Sequence, residues 1–150
     1  MKLDIFGDGP ERETLEKMID HPSVTFHGWI ASQQDLVARL NEFDILIFPS
    51  VKEFGGGVVI EAMAKGVVPI VMNYGGPSEI VREQDGFLIE VSNEEKSIED
   101  IKKVLLQIFA DPSLIAEKSR SAVQRIRDSF TWESKTSFVA EEYRKVVSRC

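Results

Sequence analysis

Short apolar runs alternate along the chain with longer stretches in which apolar residues recur every three or four positions. The apolar runs predict β-strands at residues 2–6, 24–27, 44–48, 68–72 and 86–90. The runs at 44–48 and 68–72 are apolar at nearly every position, which is typical of parallel strands that are covered on both faces. Strands that alternate with helices predict an α/β domain with a Rossmann-like, doubly wound parallel sheet.

Proline, serine and apolar spacing predict the first two helices. Pro10 is expected at the first position of a helix whose apolar stripe holds Leu15, Met18 and Ile19. Ser32 is expected to cap the helix that follows the second strand.

Helix-ending glycines and the spacing of apolar residues predict the helices of the remaining chain. One helix should begin near Val58, run through Lys65 and stop at Gly66. After residue 92 the apolar spacing predicts helices to the end of the chain.

The composition is that of a soluble globular domain, since 43% of the 150 residues are hydrophobic and 29% are charged. The net charge of −7 argues against a nucleic-acid partner, because phosphate backbones bind clustered Lys and Arg. Cys150 is the single cysteine, so no disulfide can form within the chain and a reducing compartment is expected. No secretory signal or membrane-length apolar run is recognised, which predicts a cytoplasmic protein.

The stretch EFGGGVVIE, from Glu53 to Glu61, places two carboxylates around three glycines and the start of a helix. Glycine lets a ligand approach the backbone closely, and the amides and positive end of a helix suit a pyrophosphate. A carboxylate only accepts hydrogen bonds, so the two acids suit sugar hydroxyls. Glu61 lies about one helical turn in and can reach a ribose, whereas Glu53 lies where a sugar beyond the phosphates would sit. Base, ribose, pyrophosphate and sugar are the groups of a nucleotide sugar.

Three further loops, at residues 7–10, 28–30 and 73–77, are expected at the same carboxyl edge of the sheet. Ligands of open α/β sheets bind at that edge. The glycine stretch taken alone is equally compatible with a loop that has only a structural role.

Other chemistries receive less support from the residues. Arg12 stands where the third glycine of a G-x-G-x-x-G motif would be, which disfavours a nicotinamide cofactor. No His, Cys, Asp and Glu cluster has metal-ligand spacing, and Ser50 lacks the surroundings of a catalytic nucleophile. His27 is expected to be a packed residue rather than a base. We therefore expect neither a metal nor a cofactor.

Several motifs together carry a family resemblance that covers nearly the whole chain. The chain resembles the C-terminal, nucleotide-sugar-binding domain of a GT-B fold retaining glycosyltransferase, of glycosyltransferase family 4 (glycosyl transferases group 1). Glu53 and Glu61 match the Glu-x7-Glu motif of that family. The other matching segments, in the family's order, are 6–11, 24–29, 48–50, 61–66, 75–81 and 130–132.

The resemblance implies a role for each candidate residue. Glu53 would be the catalytic residue that contacts the donor sugar, and Glu61 would bind the ribose hydroxyls. The pyrophosphate and the sugar hydroxyls would be held by the backbone amides of Gly55, Gly56, Gly57 and Val58. Gly28 and Trp29, in the loop at residues 28–30, would border the base. Gly7 and Gly9, in the loop at residues 7–10, would line the cleft.

The resemblance also implies the activity of a longer protein. Residues 1–150 would be the donor-binding domain of an enzyme that transfers a sugar from a nucleoside diphosphate to an acceptor hydroxyl of a glycan, lipid or small molecule. The family's first C-terminal strand, its phosphate-binding Arg and Lys and its N-terminal acceptor domain would precede position 1. The isolated chain is therefore expected to bind donor weakly or not at all and to be inactive. A peripheral association of the full-length protein with the cytoplasmic face of a membrane is compatible with this interpretation.

Two alternatives stay open at this point. One is another GT-B enzyme, such as a nucleotide-sugar epimerase or a phosphorylase. The other is a non-catalytic nucleotide-binding module.

The glycine stretch departs from the family's usual pattern at one place. The family usually reads E-G-F-G-[LM], whereas this chain reads Glu53-Phe54-Gly55-Gly56-Gly57. The aromatic residue is shifted by one position, and a glycine replaces the large apolar residue.

Overall fold

A computed structural model describes residues 1–148 of the chain. Cys150, which the sequence singles out as the one cysteine, lies outside the described residues. The described part is an α/β structure in which all paired strands are parallel, and this confirms the predicted fold class. It divides into two compact units, Met1–Arg39 and Leu40–Cys150, of which the second is described as far as Ser148.

The first unit contains two strands and two helices. They are β1 (Leu3–Phe6), α1 (Arg12–Met18), β2 (Val24–Gly28) and α2 (Gln33–Arg39). Strands β1 and β2 pair in parallel from Leu3 opposite Val24, and the register shifts between Ile5 and Phe6. His27 Nε2 lies 2.6 Å from Asp4 Oδ1, and its ring stacks on Phe6 with the ring centres 4.6 Å apart. His27 is therefore a packed residue, as predicted.

Helix α1 differs from its prediction. The helix begins at Arg12, so Pro10 lies in the preceding turn and not in the first helical turn. That turn is closed by the Arg12 amide, which donates to the carbonyl of Gly9. None of the side chains of α1 is buried, so its apolar stripe is only partly covered. The cap of α2 is confirmed, because Ser32 Oγ accepts a hydrogen bond from the Asp35 amide at 3.2 Å.

The second unit contains three strands and five α-helices within its described part. After a short 3-10 helix (Leu40–Glu42), the elements are β3 (Ile45–Phe48), α3 (Gly57–Ala64), β4 (Val68–Met72), α4 (Gly75–Ile80), β5 (Phe87–Ile89), α5 (Glu94–Ala110), α6 (Ser113–Ser129) and α7 (Trp132–Val147). The strand order is β3-β4-β5. Helix α3 ends before Gly66, as predicted, because this glycine takes the left-handed conformation at φ +81°.

Strand β4 carries the core of the second unit. All five of its residues are buried, whereas those of β3 are only half-buried. One core cluster joins Val71 to Val59 and Met63 of α3 and to Ala122 and Ile126 of α6. A second cluster lies on the other side of the strand and joins Ile70 and Met72 to Ile89 and Ile108. The predicted burial on both faces is therefore confirmed for β4, since adjacent strand residues point to opposite faces.

Helix α7 has no buried residue along Trp132–Val147. Several of its apolar side chains are exposed, among them Trp132, Phe138 and Tyr143. None of the helices in the described part is both long enough and apolar enough to span a membrane.

Asp85 is a fully buried acid that ties the turn before β5 to helix α6. Its carboxylate accepts from the Arg82 side chain at 2.7 and 3.2 Å and from Ser121 Oγ at 2.7 Å. Burial, the largest influence, raises the pKa of Asp85, but the bonds from Arg82 and Ser121 outweigh burial together and hold the pKa below its usual value. Asp85 is therefore an ionised buried anchor rather than a candidate proton donor.

We expect Asp85→Asn to lower the free energy of unfolding by about 2 kcal/mol at pH 7, because hydrogen bonds to a charged group are lost. A depressed folded-state pKa adds stability that is fully present above the unfolded pKa of about 3.9 and is lost as the pH falls through the folded value. Urea unfolding at pH 7 and below pH 4 should therefore show the difference from wild type shrinking in acid. The exposed variant Asp20→Asn is the control, and an effect of Asp85→Asn that is equal to the control's would contradict the anchor.

Candidate functional site

The glycine stretch forms the loop between β3 and α3, and Glu53 holds this loop together. Glu53 Oε1 accepts hydrogen bonds from the amides of Gly55 and Gly56, each at 3.0 Å. Gly56 is the N-cap residue of α3, and it adopts the left-handed conformation with φ +60°. The carboxylate that the sequence assigns to a sugar is thus also a structural group of its own loop.

The electrostatics of Glu53 follow from these two bonds. The Gly56 amide, and after it the Gly55 amide, lower the pKa of Glu53 below its usual value. The side chain is therefore ionised near neutral pH. Because Oε1 is held by the two amides, Oε2 is the oxygen placed to accept bonds from a ligand.

The four backbone amides that were predicted to bind a ligand fall into two pairs. The amides of Gly55 and Gly56 donate to Glu53 within the loop. The amides of Gly57 and Val58 belong to the first turn of α3, where an α-helix provides no intrahelical acceptor. The Val58 side chain is half-buried and packs against the core, so the backbone amide is the polar group that this residue offers to a ligand.

The loop after β4 packs its backbone against the glycine stretch. A Cβ atom on Gly75 would lie 2.8 Å from the carbonyl oxygen of Glu53, and one on Gly76 would overlap the carbonyl oxygen of Phe54. The two glycines are therefore needed for this close approach. The structure thus brings together two of the loops that the sequence places at the carboxyl edge.

A cavity of about 1050 Å³ lies beside these two loops. It is lined by residues 51–55, Ile60, residues from the 74–80 segment, Phe130 and Lys135. Its walls include the carboxylates of Glu53 and Glu79 and the side chain of Tyr74. A large concave site with a few polar groups is the usual form of a small-molecule site.

Glu61 occupies the expected position on α3, in the second turn of the helix, and is half-buried. Among the described residues, those that line the cavity include Glu53 but not Glu61. The two acids of the motif therefore lie on either side of the start of α3, Glu53 in the preceding loop and Glu61 in the helix, and their surroundings differ. This arrangement is compatible with contacts to different groups of one ligand.

The predicted residues of the first unit lie at or after the carboxyl ends of its two strands. The Gly7 amide donates to the carbonyl of Gly28 at 2.9 Å, so these two predicted residues meet. Gly9 lies in the turn after β1, and Trp29 is exposed after β2.

Arg12 is a charged residue beside these strand ends. Its sequence position indicates only an interrupted G-x-G-x-x-G motif. A Cβ atom on Gly28 would lie 2.5 Å from Arg12 Nη1, so the guanidinium covers this glycine. Arg12 Nε donates a hydrogen bond to Glu16 Oε1 at 2.9 Å, and Asp8 Oδ2 lies 3.7 Å from Arg12 Nη1. The bond to Glu16 is the main cause that raises the pKa of Arg12. The spacing of four residues from Asp8 to Arg12 and on to Glu16 was the signal in the sequence that could have revealed this group.

The sequence matches a family of known proteins over most of its length. The model of the family described as glycosyl transferases group 1 matches residues 1–122. A relative from Bacillus anthracis, N-acetyl-alpha-D-glucosaminyl L-malate synthase, is 29% identical over 147 residues, which are 97% of this chain and 36% of that protein.

Solved structures show the same fold. The sucrose-phosphate synthase of Thermosynechococcus elongatus superposes with a TM-score of 0.75 at 24% identity, over 99% of this chain and 39% of that one. Anabaena HepE, solved in complex with UDP, gives a TM-score of 0.74 at 19% identity, over 97% of this chain and 41% of that one. The chain therefore spans less than half the length of each of these three proteins.

We expect Gly56→Ala to destabilise the protein by about 2 kcal/mol, since a side chain is strained in the left-handed region. The new methyl group would also lie 3.2 Å from Ile80 and Pro77. Gly57→Ala is the matched control, because its Cβ meets nothing within 4 Å, and its effect should stay within about 1 kcal/mol. Urea unfolding of both variants measures the difference, and equal effects would refute the assigned loop geometry.

We expect the amide resonances of Gly55 and Gly56 to follow the ionisation of Glu53, with a midpoint below the ordinary glutamate value of about 4.3. An NMR pH titration measures this midpoint. In Glu53→Gln, the two amides should no longer titrate in acid. Amides that respond identically in the wild type and the variant would show that Glu53 does not hold them.

Proposed function

The chain belongs to the family of group 1 glycosyl transferases, and we propose that residues 1–150 form the donor-binding domain of a retaining glycosyltransferase. The observation that carries this proposal is the ionised Glu53, held at the start of α3 with one carboxylate oxygen open and with Glu61 in the second turn of the same helix. The donor would be a nucleoside-diphosphate sugar, and no cofactor or metal is invoked. A protein that shares this fold is solved with UDP, which supports the donor class.

The donor would lie along the start of α3. Its diphosphate would accept bonds from the amides of Gly57 and Val58, at the positive end of the helix. Glu61 would accept bonds from the ribose hydroxyls. Glu53 would use Oε2 for a sugar hydroxyl, so that its negative charge faces hydroxyl donors and not the phosphates.

The reaction would break the bond between the sugar and the diphosphate and form a bond from the sugar to the oxygen of an acceptor hydroxyl, whose proton leaves with the nucleoside diphosphate. Negative charge develops on the leaving diphosphate, and preorganised amides at a helix end stabilise such charge without reorganising. Glu53 would act as the catalytic residue by fixing the sugar beside this bond.

The acceptor and the cellular setting are proposals of the same kind. The acceptor would be a glycan, a lipid or a small molecule, bound by parts of a longer protein. The setting would be the cytoplasm or the cytoplasmic face of a membrane, with no role for nucleic acid. These proposals follow from the family and from the acidic composition.

Nucleotide titration tests the donor class. NMR titrations of the chain with UDP, GDP and NAD should show binding of at least one nucleoside diphosphate and its displacement by the matching nucleotide sugar. Binding of NAD without binding of UDP or GDP would contradict the proposal.

We expect Glu61→Gln to weaken UDP or GDP binding about 10-fold, because a charged acceptor of the ribose hydroxyls is lost. The same variant should bind the 2′,3′-dideoxy nucleotide as tightly as the wild type does, since that ligand lacks both hydroxyls. Glu95→Gln, an exposed change at the start of α5, is the control. Calorimetry measures all three proteins, and an unchanged affinity in Glu61→Gln would refute the ribose contact.

A further inference from the structure

Two aromatic side chains border the cavity and stand open to solvent. Phe54 is 98% exposed and Tyr74 is 57% exposed, and both line the cavity of about 1050 Å³. They come from the two loops whose backbones are in contact, since Gly75 and Gly76 pack against the carbonyls of Glu53 and Phe54. Single exposed aromatics are ordinary, but two that are held on packed loops at the rim of one cavity indicate a binding surface.

The loop that presents Phe54 is a built one. Glu53 accepts bonds from the amides of Gly55 and Gly56, which follow Phe54, and Gly76 lies against the carbonyl of Phe54. The backbone of Phe54 is therefore fixed on both sides while its ring meets no protein side chain that would cover it. The backbone that presents the ring is thus placed before any ligand arrives, which reduces the entropy that ordering this loop would otherwise cost on binding.

The charges of the cavity indicate a neutral, hydroxyl-rich ligand. Its lining contains two carboxylates, Glu53 and Glu79, and two ammonium groups, Lys52 and Lys135. These formal charges cancel, so the cavity as a whole does not select an anion. Carboxylates accept bonds from hydroxyl groups and ammonium groups donate to hydroxyl oxygens, so both kinds suit the edges of a sugar.

From these observations we infer that Phe54 and Tyr74 form a platform for a pyranose ring. A pyranose has apolar C–H faces and hydroxyl edges, so it matches flat aromatic walls with charged groups around them. The inference rests on the proposed function in one respect, because the ring is taken to belong to the donor or to a saccharide acceptor. The platform makes Phe54 a specificity-determining residue of this chain, at the position where its motif departs from the family pattern.

Binding of three probes tests the platform: UDP, UDP-glucose and the disaccharide maltose. If the ring is that of the donor, UDP-glucose should bind more tightly than UDP. Phe54→Ala should then lower the affinity for UDP-glucose about 3- to 10-fold and leave the affinity for UDP unchanged. If the ring is that of an acceptor, the same loss should appear for maltose, measured with and without UDP. Tyr74→Ala should act in the same direction on the same probe.

The controls separate the platform from general effects. Phe109→Ala removes a ring that is 79% exposed on α5, outside the cavity lining, and should change no affinity. Phe54→Trp keeps an aromatic ring at this position and should bind the sugar probe as the wild type does. Its indole fluorescence should change when the sugar binds.

The outcomes also separate this inference from the proposed function. A chain that binds maltose through Phe54 but binds no nucleotide would support the platform and contradict the donor site. A chain that binds neither UDP-glucose more tightly than UDP nor maltose would overturn the platform. Variants Phe54→Ala and Tyr74→Ala that bind all three probes as the wild type does would overturn it as well.

Discussion

The candidate site of the second unit depends on the parallel pairing of β3 with β4. Phe48 and Val71 are partners near the carboxyl ends of these strands, so the chain leaves both strands at the same edge. The loop after β3 contains Glu53, and the loop after β4 contains Gly75 and Gly76. Because β4 is buried along its whole length, this edge cannot move without disturbing the core. The sheet therefore determines where the two loops meet.

The contact between the loops then decides which residues can occupy them. A backbone carbonyl lies where any side chain on Gly76 would be, and Gly56 needs a left-handed conformation with Ile80 and Pro77 nearby. The glycines are thus required by packing, independently of any ligand. Glu53 completes the arrangement by accepting bonds from the amides of Gly55 and Gly56, which lie just before α3. A glycine-rich motif can therefore serve structure and binding at the same positions.

Glu53 combines both roles through the geometry of its carboxylate. One oxygen stabilises the loop by accepting two amide hydrogen bonds, and these bonds lower the pKa of Glu53 and keep the group ionised. The other oxygen can accept a bond from a sugar hydroxyl in the proposed function. Asp85 is a contrasting case in the same unit, because its carboxylate is fully buried and satisfied by Arg82 and Ser121. Asp85 is thus a structural acid, because it is buried and its oxygens are bonded within the protein. Glu53 is a candidate functional acid, because one of its oxygens can still accept a bond.

The sequence by itself determined the order of strands and helices, the burial of β4 and the start of α3 at the glycine stretch. These features follow from local periodicity and from turn residues, which act within a few positions of the chain. The first turn of α1 was predicted wrongly, because the bond from Arg12 to Gly9 places Pro10 in a closed turn before the helix.

Only the tertiary structure decided that Glu53 binds its own loop, that Gly75 and Gly76 serve a backbone contact and that Arg12 covers Gly28. It also decided that Phe54 and Tyr74 border one cavity. The physical reason is that each of these facts depends on atoms from different positions meeting in space. Periodicity reports which face of an element is apolar, but not which distant backbone lies against it.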